Sequence, residues 1–355
     1  MSTPATLIYC ASGNKRFADI ALKYGFRYGA QLPATIYHAP YFVDQNWKKP
    51  VRDVYMSALK QHAPALATVL DWEEEAQISE VLSWADEASQ YVQEAVIIIP
   101  KVMSGIDQLP DTIRGKQVRL GYSVPTKFGG TCVPTWEFKR RPVHLLGGSP
   151  SEQLKLRSYL NVQSADGNYA TKIAINYGKA WLNDMGWTNP ADLQLYDRSK
   201  KDVMYFSFEL SCMNIKAAWK GCKTSIRWAR CADIEAIRVI ARQHDNELGR
   251  VHKGALETGI QRGSLIVATY GSRVVGFVNY WARKDGTQTV YEIAVHKDFK
   301  GQYIGAGLLA AVPSPIQLKC VIGMPANGFY EAQGFTHNGV DEGKKRPLNI
   351  WRKTL

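Results

Sequence analysis

The sequence predicts an α/β protein in two parts. A barrel-like domain of alternating strands and helices occupies residues 1–200, and a smaller α+β domain occupies 224–355, with 201–223 as a linker or the end of the first. Three observations predict this. The length, 355 residues, exceeds what one hydrophobic core usually serves. Short apolar runs alternate with amphipathic stretches through the first half. From Ser225 the order changes to strand, helix, helix and then three consecutive strands.

In the first half, strands are predicted at 7–11, 36–43, 66–70, 95–100, 117–122, 142–146 and 161–164, most of them rich in aliphatic, β-branched or aromatic residues and bounded by Gly, Pro, Asn or Asp. Helices are predicted at 15–24, 51–61, 73–92, 152–160 and 170–181. In the second of these, Val51, Val54, Tyr55 and Leu59 share one face. Such alternation implies parallel strands with crossover helices. Seven or eight units would close into a barrel, and fewer would leave an open, doubly wound sheet. The barrel is favoured because several strands end in polar clusters: Asp44-Gln45-Asn46, Asp71-Trp72-Glu73, Gly147-Gly148-Ser149 and Ser164-Ala165-Asp166-Gly167-Asn168. In such barrels the C-terminal strand ends build the site. Each Asp could equally cap the following helix. Residues 187–201 are polar and turn-rich and read as a linker, and the apolar 203–220 reads as a completion of the first domain.

Composition narrows the class. With 45% hydrophobic and 21% charged residues the chain reads as globular. It has no apolar run near the ~20 residues that span a bilayer and no basic-then-apolar leader, so a cytoplasmic protein with no membrane partner is expected. The six cysteines contain no CxxC pair, so no metal site is expected. Formal net charge is +12, and it is uneven: residues 1–200 carry 22 Lys+Arg against 19 Asp+Glu, and 201–355 carry 22 against 13. A basic excess in one half implies an anionic ligand there, with nucleic acid, DNA before RNA, as the partner to expect.

Beyond Ser225, a strand ending Ile293-Ala294-Val295 leads into Gln302-Tyr303-Ile304-Gly305-Ala306-Gly307, which opens an apolar helix, and Asn327-Gly328-Phe329-Tyr330 follows with Gly334-Phe335. Glycines at the start of a helix let amide N–H groups approach a diphosphate, and the helix dipole favours the same charge. A QxxGxG pattern alone is common, but this order of elements is specific.

Over 224–355 the chain resembles the GNAT acyltransferase superfamily. The resemblance implies a mixed, splayed sheet and an acyl-CoA cofactor, acetyl-CoA first. It implies that Gln302, Tyr303, Ile304, Gly305, Ala306 and Gly307 bind the pyrophosphate, that Ile293 and Val295 hydrogen-bond the pantetheine arm, and that Asn327 contacts the cofactor. Tyr330 matches the tyrosine that protonates the departing thiolate. A base must also take the amine's proton. Glu292 is the first candidate, with His296 and Glu257 behind it; packing for Tyr330 and a solvated strand position for Glu292 are the structural alternatives. One departure is the break at Pro313-Ser314-Pro315, where relatives continue the helix. Such short versions resemble those of bacteriophages.

The first half resembles, more weakly, the barrel of tRNA-guanine transglycosylases and their DNA-acting relatives, through Phe42-Val43-Asp44, Val69-Leu70-Asp71, Val143-His144-Leu145-Leu146-Gly147-Gly148 and Ser164-Ala165-Asp166. That resemblance implies Asp166 as nucleophile, Asp44 as acid/base and Asp71 with Gly147 and Gly148 in base recognition, with Trp72 or Tyr169 stacking on an extruded base. The family's zinc-binding cysteines are absent. The expectation is a two-domain enzyme that engages a nucleotide base in the barrel and acylates an amine with the second domain. The alternative is an acetyltransferase of a small amine or a protein, with the barrel as a recognition domain.

Overall fold

The structure, a computed structural model, describes residues 5–10, 13–103, 105–126, 129–191, 200–343 and 346–354. The chain forms two compact units, residues 1–22 with 26–173 and residues 23–25 with 174–355.

The first unit contains β1 (Thr6–Cys10), α1 (Lys15–Lys23), β2 (Arg27–Leu32), β3 (Phe42–Gln45), α2 (Arg52–His62), β4 (Leu66–Thr68), α3 (Ile78–Ala88), β5 (Ala95–Ile98), β6 (Thr112–Ile113), β7 (Lys116–Ser123), β8 (Val143–Leu146), α4 (Pro150–Arg157) and β9 (Val162–Gly167). Helix α5 (Tyr169–Tyr177) crosses into the second unit. Every strand but β6 pairs in parallel with two neighbours. The ring runs β1-β2-β3-β4-β5-β7-β8-β9 and returns to β1, so the sheet closes as an eight-stranded parallel barrel. Among the described residues, the crossovers β2 to β3, β5 to β7 and β7 to β8 carry no α-helix. Pro33 and Pro40, Pro100 and Pro110, and Pro125, Gly129, Gly130 and Pro134 punctuate these segments; proline lacks the N–H that a helix interior needs, and glycine lowers helix propensity.

The barrel is filled rather than hollow. Ile8, Phe42, Leu66, Ala95, Ile97 and Ile99 form one buried cluster. Gly29 and Gly121 are glycines because the interior is already occupied: a Cβ at Gly29 would lie 2.8 Å from Ile8 Cγ2, and one at Gly121 would lie 2.6 Å from Ile99 Cγ1. The strand expected at 36–43 contracts to Phe42–Gln45, since Pro40 interrupts it. Arg27–Leu32 is a strand that the apolar pattern does not reveal.

The second unit opens with the hairpin β10 (Ala180–Leu182) and β11 (Gly186–Thr188) and continues through α6 (Lys200–Trp219). Most of the expected linker, 192–199, lies outside the described residues. Helix α6 belongs to this unit; Leu210, Met213 and Ala217 are buried. There follow β12 (Ser225–Trp228), α7 (Ile234–Arg242), α8 (Asp245–Leu248), α9 (Lys253–Gln261), β13 (Leu265–Tyr270), β14 (Arg273–Ala282), β15 (Gln288–Val295), α10 (Ile304–Ala310), β16 (Ile316–Val321), α11 (Ala326–Ala332), β17 (Thr336–Asp341) and β18 (Leu348–Lys353). The sheet order is β12-β13-β14-β15-β16-β18-β17, antiparallel except for the parallel β15–β16 pair. Ile237 and Ile240 of α7 recur at helical spacing and bury against Leu265, Val267 and Phe277. Among the described residues no helix is long and apolar enough to cross a membrane.

Candidate functional site

In the second unit the site is a gap in the sheet. Strands β15 and β16 pair only at Gln288, Thr289 and Val290 with Ile316, Gln317 and Leu318. Beyond that, 291–295 and 319–321 diverge. A bulge helps open the gap: Asn279 pairs with Glu292 and Tyr280 with Val290, so Tyr291 is the extra residue. His296 N–H donates to Val275 O at 2.8 Å. By strand alternation Ala294 also faces β14, whereas the backbone groups of Ile293 and Val295 face the gap. The Val295 carbonyl is hydrogen-bonded there by His244 Nε2 at 2.9 Å, which leaves its N–H and both groups of Ile293 toward the opening.

Helix α10 begins beyond this strand. Its first hydrogen bond runs from Gly307 N–H to Tyr303 O at 2.9 Å, so the N–H groups of Ile304, Gly305 and Ala306 precede it and reach no backbone carbonyl. Tyr303, the N-cap, sits at φ 57° in the left-handed region and is exposed, as is Gln302. A non-glycine residue there is strained. The two glycines of the motif also permit close packing. A Cβ at Gly305 would lie 3.1 Å from Phe329 Cζ, and one at Gly307 would lie 2.7 Å from Cys222 Cβ. They let α10 lie close to its neighbours and so aim the free amides.

Glu292 lies on β15, and its Oε2 accepts from Asn279 Nδ2 at 2.8 Å. Burial raises its pKa above the usual glutamate range, against the Asn279 hydrogen bond. Tyr330 is buried, its ring 5.4 Å from Phe329 and 5.9 Å from Phe335 between centroids. Burial, with Cys320 and Glu247 nearby, pushes its phenol well above 10. The other base candidates are engaged. His296 Nε2 lies 3.0 Å from Arg273 Nη2, and Glu257, half-buried on α9, forms an ion pair with Lys253 at 3.7 Å. Asn327 departs from the expected cofactor contact. Its Nδ2 donates to Val321 O and Met324 O at 2.8 and 2.9 Å, and its Oδ1 accepts from Asn349 and Trp351 at 3.0 and 2.9 Å. Its hydrogen-bonding groups are spent on locking the β16–α11 turn to β18.

The first unit holds a separate cavity of about 910 Å³ at the C-terminal ends of the barrel strands, lined by Asp44, Trp47, Asp71, Lys101, Gly147, Gly148, Glu152 and Tyr169 among others. Five of the expected barrel residues thus meet there. Asp166, at the end of β9, accepts from Gly147 N–H at 3.2 Å and from Cys10 Sγ at 2.9 Å. Asp44 accepts from the Thr68 hydroxyl at 2.8 Å, and burial, then the charge of Asp166, raises its carboxyl to about 7. Asp71 pairs with Lys101 at 2.7 Å. Trp72 does not share this site. It is 1% exposed and packs under Gly105, because it follows Asp71 on an extended segment and so points the opposite way. Trp47, unremarked in the sequence, is the tryptophan at the mouth. Among the described residues no three His, Cys, Asp or Glu side chains gather as a metal site.

Comparison with known proteins follows this division. Residues 261–337 match the sequence model of the acetyltransferase (GNAT) domain. Among solved structures, the chain is similar to a GNAT-family acetyltransferase from Bacillus cereus (15% identity, 37% of this chain and 96% of that one, TM-score 0.33). It is similar also to a ribosomal-protein-alanine N-acetyltransferase from Brucella melitensis (23%, 37% and 99%, TM-score 0.32). A third is a putative acetyltransferase from Salmonella typhimurium, determined with its cofactor acetyl-CoA (20%, 37% and 94%, TM-score 0.32). No curated protein matches the chain. The transglycosylase likeness of the barrel finds no counterpart in these matches. Residues 20–220, more than half of the sequence, match instead a family of unknown function (DUF6610), and it is to this family that the chain, with its GNAT domain, belongs.

Proposed function

We propose that the protein is an acyl-CoA-dependent N-acyltransferase whose catalytic gap lies between β15 and β16. The cofactor is acetyl-CoA or another acyl-CoA, which supplies an activated acyl thioester. The observation that carries the reading is the coincidence of the open β15 edge with the free amides of α10 in one domain of GNAT type. The residues fit this cofactor: the amides of Ile304, Gly305 and Ala306 hold the diphosphate, and Ile293 and Val295 hold the pantetheine arm as a strand would. Glu292 takes the amine proton, its raised pKa making it the stronger base. Tyr330 keeps its proton at neutral pH and gives it to the leaving sulfur.

The acceptor we propose is an amine on a nucleotide base, in DNA before RNA, engaged by the barrel mouth. Two features support it. The mouth combines Trp47 and Tyr169 with Asp44, Asp71, Glu73 and Glu152, groups suited to a flat ligand rich in N–H donors. In the second unit Arg238, Arg242, Arg250 and Asp245 line a cleft of about 500 Å³, suited to phosphate. Nucleosides from DNA and RNA, analysed by mass after incubation with the protein and acetyl-CoA, test this, with polyamines and peptides in parallel. An acyl mass gain on a nucleoside supports the acceptor; gain only on a polyamine or peptide replaces it; thiol release from no acceptor removes the enzymatic reading.

A further inference from the structure

The barrel interior carries a line of buried polar groups that acyl transfer does not use. Arg119 on β7, Ser164 on β9 and His144 on β8 are 8%, 0% and 0% exposed. Arg119 Nη1 donates to Ser164 Oγ at 3.0 Å. Ser164 Oγ lies 2.8 Å from His144 Nδ1, and His144 Nε2 lies 3.3 Å from Asp166 Oδ1. A guanidinium can only donate, and the serine hydroxyl that accepts from it still has a proton to give; when that proton goes to Nδ1, the neutral ring carries its own proton on Nε2, facing the carboxylate. Phe42 braces the imidazole, 4.8 Å away between centroids.

The result is an unequal pair. Asp166 accepts from His144, from Gly147 N–H and from Cys10 Sγ, on both of its oxygens. Asp44 accepts from the Thr68 hydroxyl and faces the negative charge of Asp166. We propose that the barrel mouth is a proton-transfer site in which Asp166 is held as the anion and Asp44 as the proton donor, with His144, fixed through Ser164 and Arg119, as the residue that positions and maintains Asp166 in that state. Asp44 gives a proton to one atom of a ligand while Asp166 takes one from another, so the charge of the pair is unchanged. The ligand therefore carries a basic atom and an acidic N–H or O–H. The charged and titratable neighbours of Asp44 are Asp166 on β9, Asp71 after β4 and Tyr55 on α2; Cys10 on β1 lies beside both aspartates. The relay rests on the mouth being a ligand site, yet its test needs no ligand.

The test is infrared titration of the full-length protein labelled with carboxyl-13C aspartate. Wild type is expected to show a protonated-carboxyl band that vanishes near pH 7 and is missing in Asp44→Asn. In His144→Phe the Asp44 midpoint falls by about one unit or more, and a band removed by Asp166→Asn replaces it. His144→Gln, whose amide can accept from Ser164 and donate to Asp166, keeps the wild-type pattern. An unchanged midpoint in folded His144→Phe overturns the proposal, and so does a wild-type band abolished by Asp166→Asn rather than Asp44→Asn. If His144→Phe does not fold, Ser164→Ala, which unties the tautomer, carries the same expectation and the same refutation. A mouth that binds no nucleobase in parallel calorimetry would remove the base-binding reading and leave the titration result standing.

Discussion

Asn279 on β14 donates its amide to Glu292 on β15 across 2.8 Å, at the pair of residues beside the strand bulge. The bond stabilises the carboxylate while burial opposes it, and burial prevails. A base with a raised pKa loses activity as pH falls through that pKa. The acid limb of kcat/KM should therefore lie above the usual glutamate range. Asn279→Ala should move it to higher pH, and Glu292→Gln should lower kcat roughly 100-fold or more. A pH profile of thiol release checks all three; an acid limb indifferent to both changes would reassign the base.

Tyr330, as the proposed acid, is expected to supply the opposite limb. Its phenol is raised by burial, so the protonated form that donates persists well into alkaline solution. Tyr330→Phe keeps the packing with Phe329 and Phe335. It should reduce kcat by roughly 100-fold with little change in Tm. Steady-state kinetics beside thermal melting separates the two quantities, and a silent variant would make Tyr330 a packing residue.

Gly307→Ala tests the role assigned to the glycines. Its methyl would meet Cys222 Cβ at 2.7 Å and Cys222 Sγ at 2.8 Å. Overpacking of this kind costs about 1–3 kcal/mol. Gly307→Ala with Cys222→Ala, which trims the sulfur, should recover part of the loss. Differential scanning calorimetry on the four proteins of that cycle gives the coupling.

Asp44 links barrel stability to pH. Its folded-state pKa of about 7 lies above the unfolded aspartate value, so the folded chain binds the extra proton between those values. This contribution is present at low pH and is lost as pH rises toward 7. A shift of about three units corresponds to a penalty on the order of 4 kcal/mol above pH 7. Asp44→Asn, which still accepts from Thr68, should raise Tm at pH 8 and change it little at pH 4. Melting curves at both values decide it.

Much of the barrel was legible because parallel strands buried on both faces read as apolar runs with turn residues at their ends, as Ala95–Ile98 and Val143–Leu146 do. Arg27–Leu32 escaped because Gly29 and the exposed Arg27 and Gln31 interrupt its apolar run; Gln31 donates to Gln45 O at 3.2 Å. Strand β17 escaped because all but its last residue is exposed and polar alternation is faint there. The aspartates at strand ends were visible; that Ser164 shares the face of Asp166, two residues away on β9, went unread. Trp72 was misjudged for want of the same period-two count. His144 and Arg119 show their meaning only when three strands far apart in sequence meet inside the barrel, which no local pattern records.

The three-residue contact between β15 and β16 has a consequence for how the second unit breathes. A sheet that parts in its middle has an internal hem, where both peptide groups of Ile293 and the N–H of Val295 face the opening. A ligand laid along that hem acts as a temporary seventh-and-a-half strand, knitting the two halves of the sheet into one cooperative body. Loading with acyl-CoA should then slow amide exchange at those positions and couple the melting of β16, β17 and β18 to that of the strands on the other side.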